Sequence, residues 1–165
     1  MRIFSCFLSA IVLFILTGCM PSSEEIKKDT LENTEQAFLS KKQENNETSK
    51  QFSYYLPEDF QVKETKNFNV LLEKGNQSFI LFVNQNEEEN SRVSYDTLVE
   101  QYKDPFISET FERDHQFGYL FVVKVDKNLY EVTVGIGGIK LTTESEAHNL
   151  HDDAQVMMEI VKSVQ

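Results

Sequence analysis

The sequence has no tryptophan, two cysteines, three prolines and three histidines in 165 residues, and sets only 16 lysines and arginines against 27 acidic residues. Each shortage excludes something. A formal net charge of -11 argues against a nucleic-acid partner, which needs basic groups on phosphate, and against a polybasic grip on anionic lipid. Both cysteines, Cys6 and Cys19, lie near the N-terminus, so no later thiol can act as a nucleophile or close a disulfide. The folded part must be held by its core alone. There is no Gly-x-Ser-x-Gly elbow and no serine paired with a histidine in a recognisable pattern. The expectation is a protein that is not an enzyme and carries no cofactor. The apolar run near the N-terminus also falls short of the roughly 20 residues a helix needs to span a bilayer.

What is present begins at that run. Arg2 supplies a positive start, residues 3–16 carry no charge, and Thr17-Gly18 place small side chains before Cys19, the layout of a secretory signal over 1–18. Met20-Pro21-Ser22-Ser23-Glu24-Glu25 then turns polar and acidic, as a cleaved signal requires and a transmembrane helix does not. The four residues Leu16-Thr17-Gly18-Cys19 resemble the lipobox of bacterial lipoproteins. The resemblance implies that Cys19 takes a diacylglyceryl group and becomes the new N-terminus. It implies a mature protein anchored to the cell membrane, on its extracytoplasmic face. Two acyl chains anchor stably where one binds marginally, because each buried methylene contributes about 0.8 kcal/mol. Processing removes Arg2 and Cys6, leaving the chain one charge more negative and Cys19 as its only cysteine.

Residues 19–50 are rich in Ser, Glu, Lys, Asn, Thr and Gln, with Ile26, Leu31, Ala37, Phe38 and Leu39 as apolar interruptions. So few apolar positions do not offset the entropy of ordering, which predicts a flexible tether with a reach of roughly 30 Å. A helix over 30–42 would be transient.

A single globular domain is expected over 51–165. Residues 52–56 and 60–64 read as strands, and 68–72 and 78–83 as a hairpin turning at Gly75-Asn76. The run 79–83 is apolar on both faces, which predicts a central strand covered on both sides. Ser94 is a plausible N-cap, and Tyr95, Leu98, Val99 and Tyr102 fall at i, i+3, i+4 and i+7, an amphipathic helix ending before Pro105. Strand patterns return at 106–111, 118–125 and 129–134. Beyond Gly135-Ile136-Gly137-Gly138, residues 139–141 extend the last strand past a bulge or begin another. Thr143 and Glu146 have capping-box spacing, and Ala147, Leu150, Ala154, Met157, Met158, Val161 and Val164 form one face of a closing helix. The predicted fold is α+β, an antiparallel sheet of six to seven strands with two helices packed on it.

Three groups invite a chemical reading. His148, His151 and Asp152 would share one helix face and offer imidazole and carboxylate to a metal, yet a zinc site needs further ligands, and His115 sits in a turn. The simpler reading is an exposed first turn with acidic residues favouring the helix dipole. The glycines at 135–138 lead into an extended segment rather than a helix, so they suit a bend better than a phosphate loop. Glu87-Glu88-Glu89 lacks calcium-loop spacing and reads as solvated.

Tyr54-Tyr55-Leu56-Pro57 leading into Phe60, the hairpin around Gly75, the helix at Ser94 and the last helix over 154–164 resemble small bacterial lipoproteins with a PsbP/Mog1-like domain. The resemblance implies an antiparallel sheet between helices, acting as a non-catalytic binding or assembly module. Taken together, a lipid-anchored protein that binds another envelope component is expected, the alternative being a small-molecule or metal-binding lipoprotein.

Overall fold

A computed structural model describes residues 21–165. The expected signal and the lipobox with Cys19 lie outside the described residues. The order of elements is α1 (Ser23–Leu39), β1 (Glu47–Thr48), β2 (Ser53–Tyr54), β3 (Phe60–Lys66), β4 (Asn69–Lys74), β5 (Gln77–Val83), α2 (Val93–Gln101), β6 (Ile107–Arg113), β7 (Gln116–Asp126), β8 (Leu129–Ile136), β9 (Ile139–Glu146) and α3 (Leu150–Ser163). Seven strands form one antiparallel sheet in the order β3-β4-β5-β9-β8-β7-β6, and β1 with β2 makes a separate two-stranded ribbon. The expected α+β class and strand count hold. Among the described residues the helices number three, α1 being one more than the two expected.

The additional helix, α1, occupies most of the segment expected to be a flexible tether. Ser22 caps it: Glu25 N donates to Ser22 Oγ at 3.2 Å and Ser22 N to Glu25 Oε2 at 3.4 Å, the reciprocal box that satisfies two N-terminal donors. Its inner face is Ile26, Thr30, Leu31, Thr34, Ala37 and Phe38, and both threonines are fully buried. They can be buried because each hydroxyl donates back one turn, Thr30 Oγ1 to the Ile26 carbonyl at 2.6 Å and Thr34 Oγ1 to Thr30 at 2.7 Å. Two residues that count as polar in a hydropathy reading therefore serve as core. At the far end Lys162 Nζ donates to the carbonyls of Phe38 and Ser40, and Arg113 Nη1 to that of Leu39 at 2.6 Å. Cations there match the negative end of the helix dipole.

One sheet face carries the main core. Phe60, Leu72, Phe79, Leu81, Leu120, Val122, Val132, Val134 and Leu141 point toward α1 and α3, which lie side by side against it. The second face is covered only in part. There Tyr95, Leu98 and Tyr102 of α2 and its end pack on Phe117, Tyr119 and Phe121 of β7. Val99, expected on the inner face of this helix, is exposed.

One further expectation is corrected. Residues 143–146 are not a helix start: Thr143 and Ser145 lie in β9 with side chains turned to the core, and α3 begins at Leu150 after Asn149. Strand pairing of 139–146 with both β5 and β8 outweighs the local capping signal. Of the two readings of the glycine run, the second holds: residues 139–146 begin a new strand after a tight reversal, with Ile136 opposite Ile139 and Gly137 at φ +53°.

Burial also tunes two phenols. It is the main cause, with the Glu47 carboxylate assisting, that pushes Tyr54 from 10.0 up to about 12. Tyr119 is raised as well, again chiefly by burial; its buried hydroxyl has no hydrogen-bond partner among the described residues, and the neighbouring Ser94 hydroxyl, outside bonding geometry, opposes the effect without cancelling it. A raised phenol pKa means the folded state holds its proton more tightly than the unfolded one. That stability is complete below pH 10 and is lost as pH climbs toward 12. In an alkaline titration followed by tyrosinate absorbance and circular dichroism, Tyr54 and Tyr119 are expected to ionise only as the fold is lost. Ionisation of all six tyrosines near pH 10 with the fold intact would contradict this.

Candidate functional site

The part of the second face that α2 leaves open runs over β4, β5 and β9 to the start of β8. Strand β5 is central, as expected, but it is covered on one side only: Phe79, Leu81 and Val83 are buried, while Ile80 is 51% exposed. The expectation of cover on both sides is thus corrected. The sequence is apolar on both faces of this strand, and among the described residues no element covers the outer one at Ile80.

Cross-strand register places a row across this surface. Leu71 lies opposite Ile80, Ile80 opposite Thr142 and Thr142 opposite Thr133, whose hydroxyls are 3.0 Å apart. Toward the β4–β5 turn the surface deepens into an open groove of about 730 Å³, with Ser78, Ile80 and Thr142 beside Leu129, Glu131 and Glu144. Glu131 and Glu144 are direct cross-strand partners on this face. Like charges opposite each other are destabilising. Among the described residues Glu131 accepts one side-chain hydrogen bond, from the Tyr102 hydroxyl at 3.2 Å, whose own pKa that carboxylate raises.

The groove's inner rim is built around Asp153, buried in the first turn of α3. Its Oδ2 accepts from Ser145 Oγ at 2.7 Å and Gln77 Nε2 at 2.9 Å, and Lys74 Nζ stands 3.8 Å from Oδ1. Gln77 also donates to Thr143 Oγ1 and the Glu144 carbonyl. A carboxylate satisfied in this way locks the β4–β5 hairpin, β9 and α3 together. The rim is therefore rigid, and the one nearby lysine is occupied by Asp153 and by Asp59 at 3.5 Å.

The residues that suggested a metal are not brought together. His148 precedes α3, so the spacing of one helix face does not apply to it, and its Nδ1 faces Glu146 at 3.4 Å. His151 Nε2 faces Asp152 Oδ1 at 3.4 Å, and His115 sits in the β6–β7 turn at φ +66°. Among the described residues no group of three metal-ligating side chains converges. The loop with Glu87-Glu88-Glu89 is ordered by its own contacts: Glu87 accepts from Asn84 Nδ2 and Ser91 Oγ, both at 2.7 Å, and Asn84 N donates to the Gly138 carbonyl at 3.1 Å. The open face was missed in the sequence, although the apolar residues Leu71, Ile80 and Phe82 on the alternate positions of β4 and β5 were its signal.

No helix among the described residues is long and apolar enough to cross a membrane. Compared with known proteins, the chain matches no family model and no curated protein.

Proposed function

We propose that this chain is a bacterial lipoprotein, anchored through Cys19 on the extracytoplasmic face of the cell membrane, whose sheet groove is a non-catalytic docking site for another envelope component. The observation that carries the reading is the uncovered Ile80 beside the opposed carboxylates of Glu131 and Glu144. An exposed apolar floor gains by being covered, and two facing carboxylates gain by a cation between them. The matching partner is a protein segment presenting an apolar side chain next to a lysine or arginine. The groove is open, whereas a small ligand is ordinarily enclosed over most of its surface, so a macromolecular segment suits it better than a free small molecule. The sheet with helices on it is in keeping with a PsbP/Mog1-like domain, and that assignment belongs to the proposal.

The test is capture from detergent-solubilised membranes by the lipidated full-length protein, with Ile80→Glu and Cys19→Ala beside it. Ile80 is exposed, so the charge is tolerated in the free protein. Burying it under a partner costs about 2 kcal/mol, enough for at least a tenfold loss of the specific partner. Equal recovery by the wild type and Ile80→Glu would overturn the groove as the docking site.

A further inference from the structure

Helix α1 changes how an anchor at Cys19 would hold the domain. Only Met20 separates Cys19 from Pro21, the first described residue. At about 3.3–3.6 Å per residue the two Cα atoms are at most about 7 Å apart. Helix α1 is not free to swing, being fixed by buried Thr30, Thr34, Ala37 and Phe38 along its length and by Lys162 and Arg113 at its end.

The helix direction is set by its contacts with β6. Lys27 Nζ lies 4.8 Å from the Phe106 ring at the start of that strand, and Phe38 lies 5.6 Å from Phe111 near its end. Phe106 in turn packs at a tilt on Tyr130 at 4.8 Å, next to the β7–β8 turn, and the Asn128 carbonyl of that turn accepts from Ala147 N just before α3. The starts of α1, β6 and α3 and the β7–β8 turn therefore share one end of the molecule. Strand β7, 11 residues long, carries the chain from the opposite end to this one, about 35 Å at 3.3 Å per residue.

We propose that this end lies against the lipid surface, holding the domain at the bilayer in one orientation in place of a loose tether. The inference rests on lipidation of Cys19. The surface at this end mixes Lys27, Lys28, Lys124 and Lys127 with Glu24, Glu25, Asp126, Glu146 and Asp152 around an exposed Val125, so the short covalent link sets the orientation and anionic lipid does not. The groove, bordered by Asn76, Leu129, Glu146 and Asn149, opens at the same end. Its partner is then a component held in or on the same membrane.

The experiment places a fluorophore on full-length protein purified from membranes, at Lys127→Cys in the near turn or at Glu112→Cys in the exposed far end of β6. The host is phosphatidylcholine–phosphatidylglycerol vesicles carrying a headgroup nitroxide quencher. A diacylglyceryl thioether leaves Cys19 unreactive to the label, and intact mass reads its lipid directly. The expected result is several-fold stronger quenching at Lys127→Cys than at Glu112→Cys, unchanged by added salt. Inserting about 15 Gly/Ser residues between Pro21 and Ser22 gives a link of roughly 20 Å and is expected to even the two sites. Equal, weak quenching at both sites in protein whose mass shows the lipid would overturn the orientation and leave the anchor standing. A mass without lipid on Cys19 would overturn both.

Discussion

Replacing Phe38 by alanine is expected to lower the free energy of unfolding by about 3–5 kcal/mol, the cost of emptying a fully buried aromatic site. The ring is 1% exposed, lies 5.6 Å from Phe111 and sits over Gly118, where an added Cβ would fall 2.6 Å from Phe38 Cε2. No side chain at position 118 can move in to fill the space, so the cavity would persist. In a domain of this size each kcal/mol lowers Tm by about 2–4 °C, giving a fall of roughly 6–20 °C. Leu39→Ala, at an exposed neighbour on the same helix, is the control and should stay within about 0.5 kcal/mol. Chemical denaturation of both variants decides whether α1 is part of the cooperative fold. A Phe38→Ala change as small as the control would mean that the helix is a solvated appendage, and the orientation at the membrane would fall with it.

Gly135→Ala is expected to cost about 3 kcal/mol, the upper part of the usual overpacking range. Gly135 faces Tyr119 across the β7–β8 pair, and the Tyr119 ring lies flat over it, occupying the place a Cβ would take. Because Tyr119 is fully buried among Tyr95, Phe117 and the strand below, it cannot swing aside. The same overlap predicts strong coupling: in the Gly135→Ala/Tyr119→Leu double variant the two costs should fall short of additivity by 0.5–3 kcal/mol. Additive costs, or an alanine variant as stable as the wild type, would refute the close approach. The effect reaches the groove, because Tyr119 is part of the seat of α2. The helix ends at Tyr102, which holds Glu131 at the groove edge.

Much of the fold was legible. The hairpins at Gly75-Asn76 and Lys127-Asn128 and the turn at Asp114-His115 are marked by turn residues, and the strands around them alternate in keeping with their buried rows. The helix over 93–101 and most of α3 followed from apolar spacing. Helix α1 was read only as a transient helix over 30–42, and its place in the core was missed, because Thr30 and Thr34 count as polar although each satisfies its own hydroxyl within the helix. Ser22 and Glu25, at capping-box spacing, were the available local clue. The metal reading of His148, His151 and Asp152 depended on a helix start that strand β9 displaced by several residues.

The sequence by itself determined the acidic character, the order of the sheet strands from 60 onward and their inward rows, because turn chemistry and side-chain periodicity are local properties of the chain. Only the tertiary structure decided that α1 joins the core, that α2 is too short to cover the second face, and that Glu131 and Glu144 meet beside Ile80. Alternation along a strand shows that two faces exist. What covers each face depends on partners distant in the chain, and local periodicity carries no record of them.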